Sequence, residues 1–316
     1  MSAKVTIFTE PSLSLAYRLK KALKQTVKKL IGRSGAYFAG HYAVVRSVRE
    51  GLDNLDEPYT FNPTNYSDLS DTVHVLANVD ALKMAIQLKK RGRISRLTAG
   101  PNIVISSADS DGIVASPEID LFLVNSEWTK SAYLLDNPKL SGRLDIWPAG
   151  IRVSDWKIIK RPTEKPVAVF YKKRAEHFSY EACKLSASEA GYEIIEIIYG
   201  SYTPEELKQA LTTATVVVYF VEQESQGIAL LEIWATNTPT FVWNPQIWHY
   251  KGRNYACCSA PYLTEKTGAF FRDETAFREL INAPLAFYEP EKWVSAHMTD
   301  ELCARDFLRK TTGSNS

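Results

Sequence analysis

The stretch FVEQESQGIALLEIWATNTPTFVWNP, residues 220–245, sets two glutamates, Glu224 and Glu232, around a glycine that opens an apolar helical run. Seven residues separate the two carboxylates. VVVYF (216–220) enters this stretch as a run apolar on both faces, as expected of a strand buried in a parallel sheet. The order is therefore strand, polar turn, helix, with the turn at the carboxyl end of the strand. In open α/β sheets ligands collect outside that edge, and the free N–H groups of a helix start favour an anion such as phosphate. Ser225, Gln226, Gly227 and Ile228 form the expected helix start, with Gly227 letting a ligand approach the backbone. Glu232 lies on the order of 7 Å further along the axis at about 1.5 Å per residue. A carboxylate beside a phosphate would repel it, whereas one displaced toward a ribose accepts hydrogen bonds from both hydroxyls through its two oxygens. The pattern suits a nucleotide-sugar: Glu232 on the ribose, the helix start on the diphosphate, Glu224 on hydroxyls of the transferred sugar. Taken alone, the spacing is better explained by an ordinary helix N-terminus carrying a solvated glutamate, so the neighbouring sequence has to decide.

That neighbourhood alternates strands and helices. VAVFY (167–171), EIIEII (193–198), VVVYF and TFVW (240–243) are short apolar runs, and SYEACKLSASEAG and TPEELKQALTTA between them have helical spacing. Thr203 followed by Pro204 is a good N-cap with proline at the first helical position. The first half has a less regular series, KVTIFT (4–9), TVHVLA (72–77), DLFLVN (120–125) and RLDIW (143–147). These runs predict two doubly wound α/β domains joined near VSDWKIIKRPTEKP (153–166), where charge and two prolines break the apolar pattern.

In this setting ESQGIALLEIWATNTPTFVW resembles the EX7E segment of retaining GT-B glycosyltransferases of the family-four kind. DLFLVNSEWTKSAYL (120–134) and LDIWPAGIRVSDW (144–156) are similar to that family's last N-domain segments, and SAPYLTEKTGAFF (259–271) to its late C-domain loop and strand. The resemblance extends with gaps from about residue 97 to the C-terminus. It implies GT-B architecture, two Rossmann-like domains facing a cleft: an acceptor-side domain over 1–158, a nucleotide-sugar-binding domain over 159–290, and a helical segment over 291–316 packing back on the first domain. It also implies transfer of a sugar from a nucleoside-diphosphate donor to a glycan or lipid-linked acceptor with retention of anomeric configuration.

A leaving diphosphate needs positive charge, and FYKKRAEH supplies Lys172, Lys173 and Arg174 directly after the first strand of the second half. Such cations would stabilise charge developing on the β-phosphate as the glycosidic bond breaks. The family commonly has an Arg and a Lys here with four residues between them; this chain clusters its cations, and Lys172 and Lys173 are the preferred pair, with Arg174 beside them. A solvated basic turn would look the same. By analogy with related enzymes, Gly200, Ser201 and Tyr202 line a nucleobase pocket or else form a plain capped turn. In the first half, IGRSGAYFAGHYAVV places Gly32, Gly35 and Gly40 before a helix with His41 near its start, a spacing that matches neither the dinucleotide fingerprint nor the P-loop. His41 is carried as a catalytic candidate against the commoner structural role of a lone histidine. Asp109-Ser110-Asp111 has the DxD pattern of another glycosyltransferase fold, but ADSDG is better read as a turn. With no Cys/His cluster either, neither a metal nor any other cofactor is expected.

Composition bounds the partners. The chain has 316 residues, 45% of them apolar, enough for two cores. With 38 Lys+Arg against 36 Asp+Glu the net charge is +2, which does not announce a nucleic-acid binder. Four cysteines without metal spacing suggest a reduced, cytoplasmic chain, and no apolar stretch approaches a membrane span. The segment 15–33, rich in Lys and Arg among leucines, has two expected uses, a solvated face or peripheral contact with an anionic membrane. Two functional alternatives accompany the transferase: a nucleotide-sugar epimerase or hydrolase on the same fold, and a binding protein that does not turn over.

Overall fold

The computed structural model describes residues 3–22, 40–173 and 179–313. The chain divides into two compact units, Met1–Ala149 with Asp300–Ser316, and Gly150–Thr299.

The first unit is built on six parallel strands, β1 (Val5–Phe8), β2 (Tyr59–Phe61), β3 (Thr72–Val75), β4 (Arg96–Ala99), β5 (Leu121–Val124) and β6 (Leu144–Ile146), ordered β2-β1-β3-β4-β5-β6. The four apolar runs expected in this half are β1, β3, β5 and β6. The short strands β2 and β4 lack so clear a pattern. The helix Val79–Lys90 connects β3 to β4, with the Asn78 side chain accepting from the Ala81 N–H at 2.9 Å and Lys89 and Lys90 in its last turn. Cap and charges agree with the helix dipole.

The helix Asp300–Thr312 packs within this unit on the helix Gly40–Asn54. The two can approach closely because position 51 is glycine: a Cβ there would lie 2.3 Å from the Asp300 carbonyl oxygen and 2.6 Å from Ala304 Cβ. Arg46 meets the buried Asp300 at 2.8 Å, and Trp147 Nε1 donates to the Cys303 carbonyl at 2.8 Å. Phe307 lies edge-on to the buried His74 ring, centroids 4.7 Å apart.

The second unit contains β7 (Val167–Lys173), β8 (Glu193–Ile198), β9 (Val216–Val221), β10 (Thr240–Trp243), β11 (Ile247–Tyr250), β12 (Arg253–Ala256) and β13 (Gly268–Phe271). Five form a parallel sheet in the order β13-β10-β9-β7-β8, and β11 and β12 form an antiparallel hairpin between β10 and β13. The four apolar runs expected here are β7, β8, β9 and β10. One face of the sheet holds an aromatic core of Phe170, Phe220, Phe241, Trp243 and Phe271, closed by Tyr180 and Phe277 from the helices Ser179–Glu189 and Glu274–Ile281. By strand alternation the other face carries Val169, Tyr171 and Lys173 of β7 and Val217, Tyr219 and Val221 of β9.

The units divide at 149/150 and 299/300, whereas the divisions expected from the sequence lie at 158/159 and 290/291. Charged residues after 150 are fastened to the second unit: Lys160 Nζ donates to the carbonyls of Leu211 and Ala214 at 2.9 and 3.0 Å and to Thr238 Oγ1 at 2.6 Å. The helix Pro290–His297 also packs there, Trp293 lying edge-on to Trp234 at 5.7 Å. Among the described residues no helix is long and apolar enough to cross a membrane.

Candidate functional site

The helix Ile228–Ala235 begins where the sequence pattern put it, seven residues after the end of β9. Gly227 is its N-cap with φ 72° and ψ 48°, a left-handed conformation that glycine adopts without a Cβ penalty. A Cβ at Gly227 would stand 3.1 Å from Leu230 Cδ1, so the glycine also lets the first turn close.

Glu224, in the turn before this helix, is 9% exposed. Its backbone N–H donates to the Cys258 carbonyl at 3.0 Å, and Ser259 Oγ donates to the Val221 carbonyl at 2.7 Å. The segment following the hairpin therefore holds the turn. Lys173 Nζ lies 2.5 Å from Glu224 Oε1 and 4.8 Å over the Tyr199 ring. The Tyr219 hydroxyl donates to the same Oε1 at 3.3 Å. Tyr219 stacks on Tyr171, centroids 4.7 Å apart and rings 10° from parallel, and the Tyr171 hydroxyl meets that of Tyr202 at 3.0 Å.

Burial raises all three phenols: Tyr202 is pushed up to about 12, and Tyr171 and Tyr219 well above their ordinary value. Glu224 and Glu232 add to the rise at Tyr171 and Tyr202, so both carboxylates lie within electrostatic reach of this hydroxyl pair. The phenols are thus neutral donors over the whole physiological range. One carboxylate held by an ammonium and a hydroxyl, a helix start beside it and a second carboxylate further along the helix can together receive a polyhydroxyl ligand carrying an anion.

The structure brings together Glu224, Lys173 and the Ser225–Gln226–Gly227–Ile228 helix start, links Tyr202 to Glu224 through Tyr171 and Tyr219, and carries Glu232 on the same helix. It does not bring Lys172 there. Consecutive strand residues point to opposite faces, and Lys172 Nζ lies 4.8 Å over the Tyr180 ring on the aromatic-core side. Gly200 and Ser201 are exposed in the turn after β8, Gly200 at φ 86°, and the Thr203–Glu206 capping box follows them. Arg174, Gly32 and Gly35 lie outside the described residues, as does the side chain of His41. Asp109–Gly112 is a turn in which Ser110, Asp111 and Gly112 all have positive φ, and Asp109 Oδ2 accepts from the Ser106 N–H at 3.0 Å. Among the described residues no group of three or more His, Cys, Asp and Glu side chains converges as a metal site would.

Sequence reasoning overlooked Tyr171, Tyr219 and the Cys258–Ser259 support. The tyrosines had a signal: VAVFYKK and VVVYFV each place one tyrosine amid apolar residues, and the register pairs Tyr171 with Tyr219. A surface cleft of about 530 Å³ in the first unit, lined by Lys83, Gln87, Asp111, Asn137 and Lys139 among others, involves none of the clustered residues.

The two Rossmann-like parallel sheets define an α/β fold of the GT-B class, and solved structures share it. Anabaena HepE in complex with UDP and glucose superposes with a TM-score of 0.58 at 10% identity, covering 98% of this chain and 100% of that one. The lipopolysaccharide outer core galactosyltransferase WaaB gives 0.57 at 13% identity, covering 96% and 98%. WaaG, a glycosyltransferase involved in lipopolysaccharide biosynthesis, gives 0.52 at 10% identity, covering 98% and 100%. No protein-family profile and no curated protein sequence matches the chain.

Proposed function

We propose that the protein is a glycosyltransferase that moves a sugar from a nucleoside-diphosphate sugar to a glycan or lipid-linked acceptor, with retention and without a metal ion. The observation that carries the reading is the Lys173–Glu224 pair at the carboxyl ends of β7 and β9, beside the helix that bears Glu232. Glu232 accepts from the ribose hydroxyls. The Gly227 helix start and Lys173 take the diphosphate, Glu224 takes hydroxyls of the sugar, and the Gly200–Tyr202 turn flanks the base. Arg174 is a further cation for the phosphates and His41 a candidate on the acceptor side. Because no second carboxylate is assigned to the opposite ring face, we favour a same-face displacement. The bond from the anomeric carbon to the β-phosphate oxygen breaks, the acceptor hydroxyl oxygen bonds to that carbon from the same face, and its proton passes to the departing phosphate. Lys173 stabilises the charge that develops on that phosphate.

A membrane-surface acceptor is supported by the segment preceding residue 23, where Leu15 and Leu19 are exposed at 63% and 59% among Arg18, Lys20 and Lys21. The name of WaaG ties that similar structure to lipopolysaccharide biosynthesis, and HepE was solved with UDP-glucose. Both are consistent with a UDP-sugar donor and a glycan or glycolipid acceptor. The test is nucleotide release from UDP-, GDP- and ADP-sugars with and without saccharide acceptors. Acceptor-dependent release supports transfer. Acceptor-independent release makes the protein a hydrolase, and binding without release makes it a scaffold.

A further inference from the structure

Beneath the two glutamates the second sheet differs between its faces. On β7 and β9, the face covered by the helices Ser179–Glu189 and Glu274–Ile281 carries Phe170 and Phe220, while the opposite face carries Tyr171 and Tyr219, paired in register. All four are fully buried. Phenylalanine fills such a layer without further demands; a buried phenol must find a hydrogen-bond partner or pay for its desolvation. Tyr219 meets that demand at Glu224 Oε1, the oxygen already held by Lys173, and Tyr171 meets it at the Tyr202 hydroxyl in the turn after β8. Two donors on one carboxylate oxygen restrict its plane more than a single flexible lysine would. A rigid sheet position supplies the second donor, and Cys258 ties down the backbone of the same glutamate.

We propose that this stacked pair is a positioning shelf, in which Tyr219 orients the Glu224 carboxylate toward the sugar and Tyr171 holds the Tyr202 turn in place on the nucleotide side. The inference rests on the roles given above to the two glutamates. Its distinctive consequence is a division of labour between neighbouring hydroxyls: one governs affinity for the sugar, the other for the nucleotide.

Tyr219→Phe and Tyr171→Phe each remove one oxygen and leave the stacked rings. Calorimetry is done on the full chain with UDP, GDP and ADP, and then with UDP-glucose, GDP-mannose and ADP-glucose. For whichever nucleotide the wild type binds, Tyr219→Phe should raise Kd for the sugar conjugate roughly tenfold, the size of one hydrogen bond to a charged acceptor, and leave the bare nucleotide within twofold. Tyr171→Phe should raise both Kd values by a common factor of roughly three to ten. Tyrosines with a merely structural role would lower Tm and leave both affinities at their wild-type values. If the wild type binds a nucleotide and both variants keep the wild-type ratio and affinities, the shelf is overturned while the roles of the glutamates stand. If the wild type binds none of the six ligands, the glutamate roles fall and the shelf with them. Should Tyr171→Phe not fold, Tyr202→Phe at the half-buried end of the pair breaks the same hydrogen bond and must give the same common rise.

Discussion

His74 makes an acid-sensitivity prediction whose size follows from its surroundings. It is fully buried on β3, with Nε2 2.7 Å from the Gly100 carbonyl and Nδ1 2.8 Å from Thr98 Oγ1. A carbonyl can only accept, so the neutral ring carries its proton on Nε2 and accepts from the threonine hydroxyl at Nδ1. Burial lowers its pKa from 6.5 to about 3, because the cation would lose its hydration and gain no acidic partner. Between those values the unfolded chain binds a proton that the native protein does not. Unfolding free energy therefore falls as pH drops below about 6.5 and stops falling, for this group, near 3. At about 1.36 kcal/mol per pH unit the loss is about 2 kcal/mol by pH 5 and about 5 kcal/mol at its limit. Urea midpoints from pH 5 to 7.5 measure it. His74→Gln cannot titrate; it lowers stability at every pH through lost contact with Phe307, but its pH slope should be shallower by up to one proton. Equal slopes in wild type and variant, or a His74 ring proton titrating near pH 6.5 by NMR, would refute the argument.

Three further outcomes are expected. Gly51→Ala should cost about 1–3 kcal/mol in denaturant unfolding, because the added methyl overlaps the Asp300 carbonyl and Ala304 and forces the helices apart; unchanged stability would mean that their packing is not tight. Glu224→Gln should reduce turnover of an intact sugar donor at least tenfold while leaving bare-nucleotide affinity unchanged or improved, since it releases Lys173 from its ion pair. Weaker bare-nucleotide binding in calorimetry would contradict that assignment. Transfer should persist in EDTA; loss on chelation with recovery in Mn²⁺ or Mg²⁺ would show that lysine and helix start do not suffice for the phosphates.

The long strands were legible because a parallel strand covered on both faces must be apolar throughout, as in VVVYF and TFVW. Tyr59–Phe61 shows no apolar run because it is a short, half-buried edge strand, and Arg96–Ala99 none because it opens on an arginine that donates to the Thr311 carbonyl, a partner 215 residues away. The hairpin β11–β12 stands where a crossover helix is usual. Its signal lay in Lys251-Gly252, both at positive φ between alternating aromatics. At the candidate site, spacing points to Glu224 and the helix start but does not choose between Lys172 and Lys173. Alternation puts the two lysines on opposite faces, and only the pairing of Tyr171 with Tyr219 shows which face leads to Glu224.

In the proposed function the second unit holds a nucleoside-diphosphate sugar with Glu232 on the ribose. Calorimetry of UDP, GDP and ADP on the wild type and on Glu232→Gln tests it most directly. The nucleotide bound by the wild type should bind the variant more weakly by about 1.5–3 kcal/mol, roughly ten- to a hundredfold, through loss of charge-assisted acceptance from the ribose hydroxyls. The same affinity in both proteins would remove Glu232 from the site and, with it, the proposed mode of donor binding.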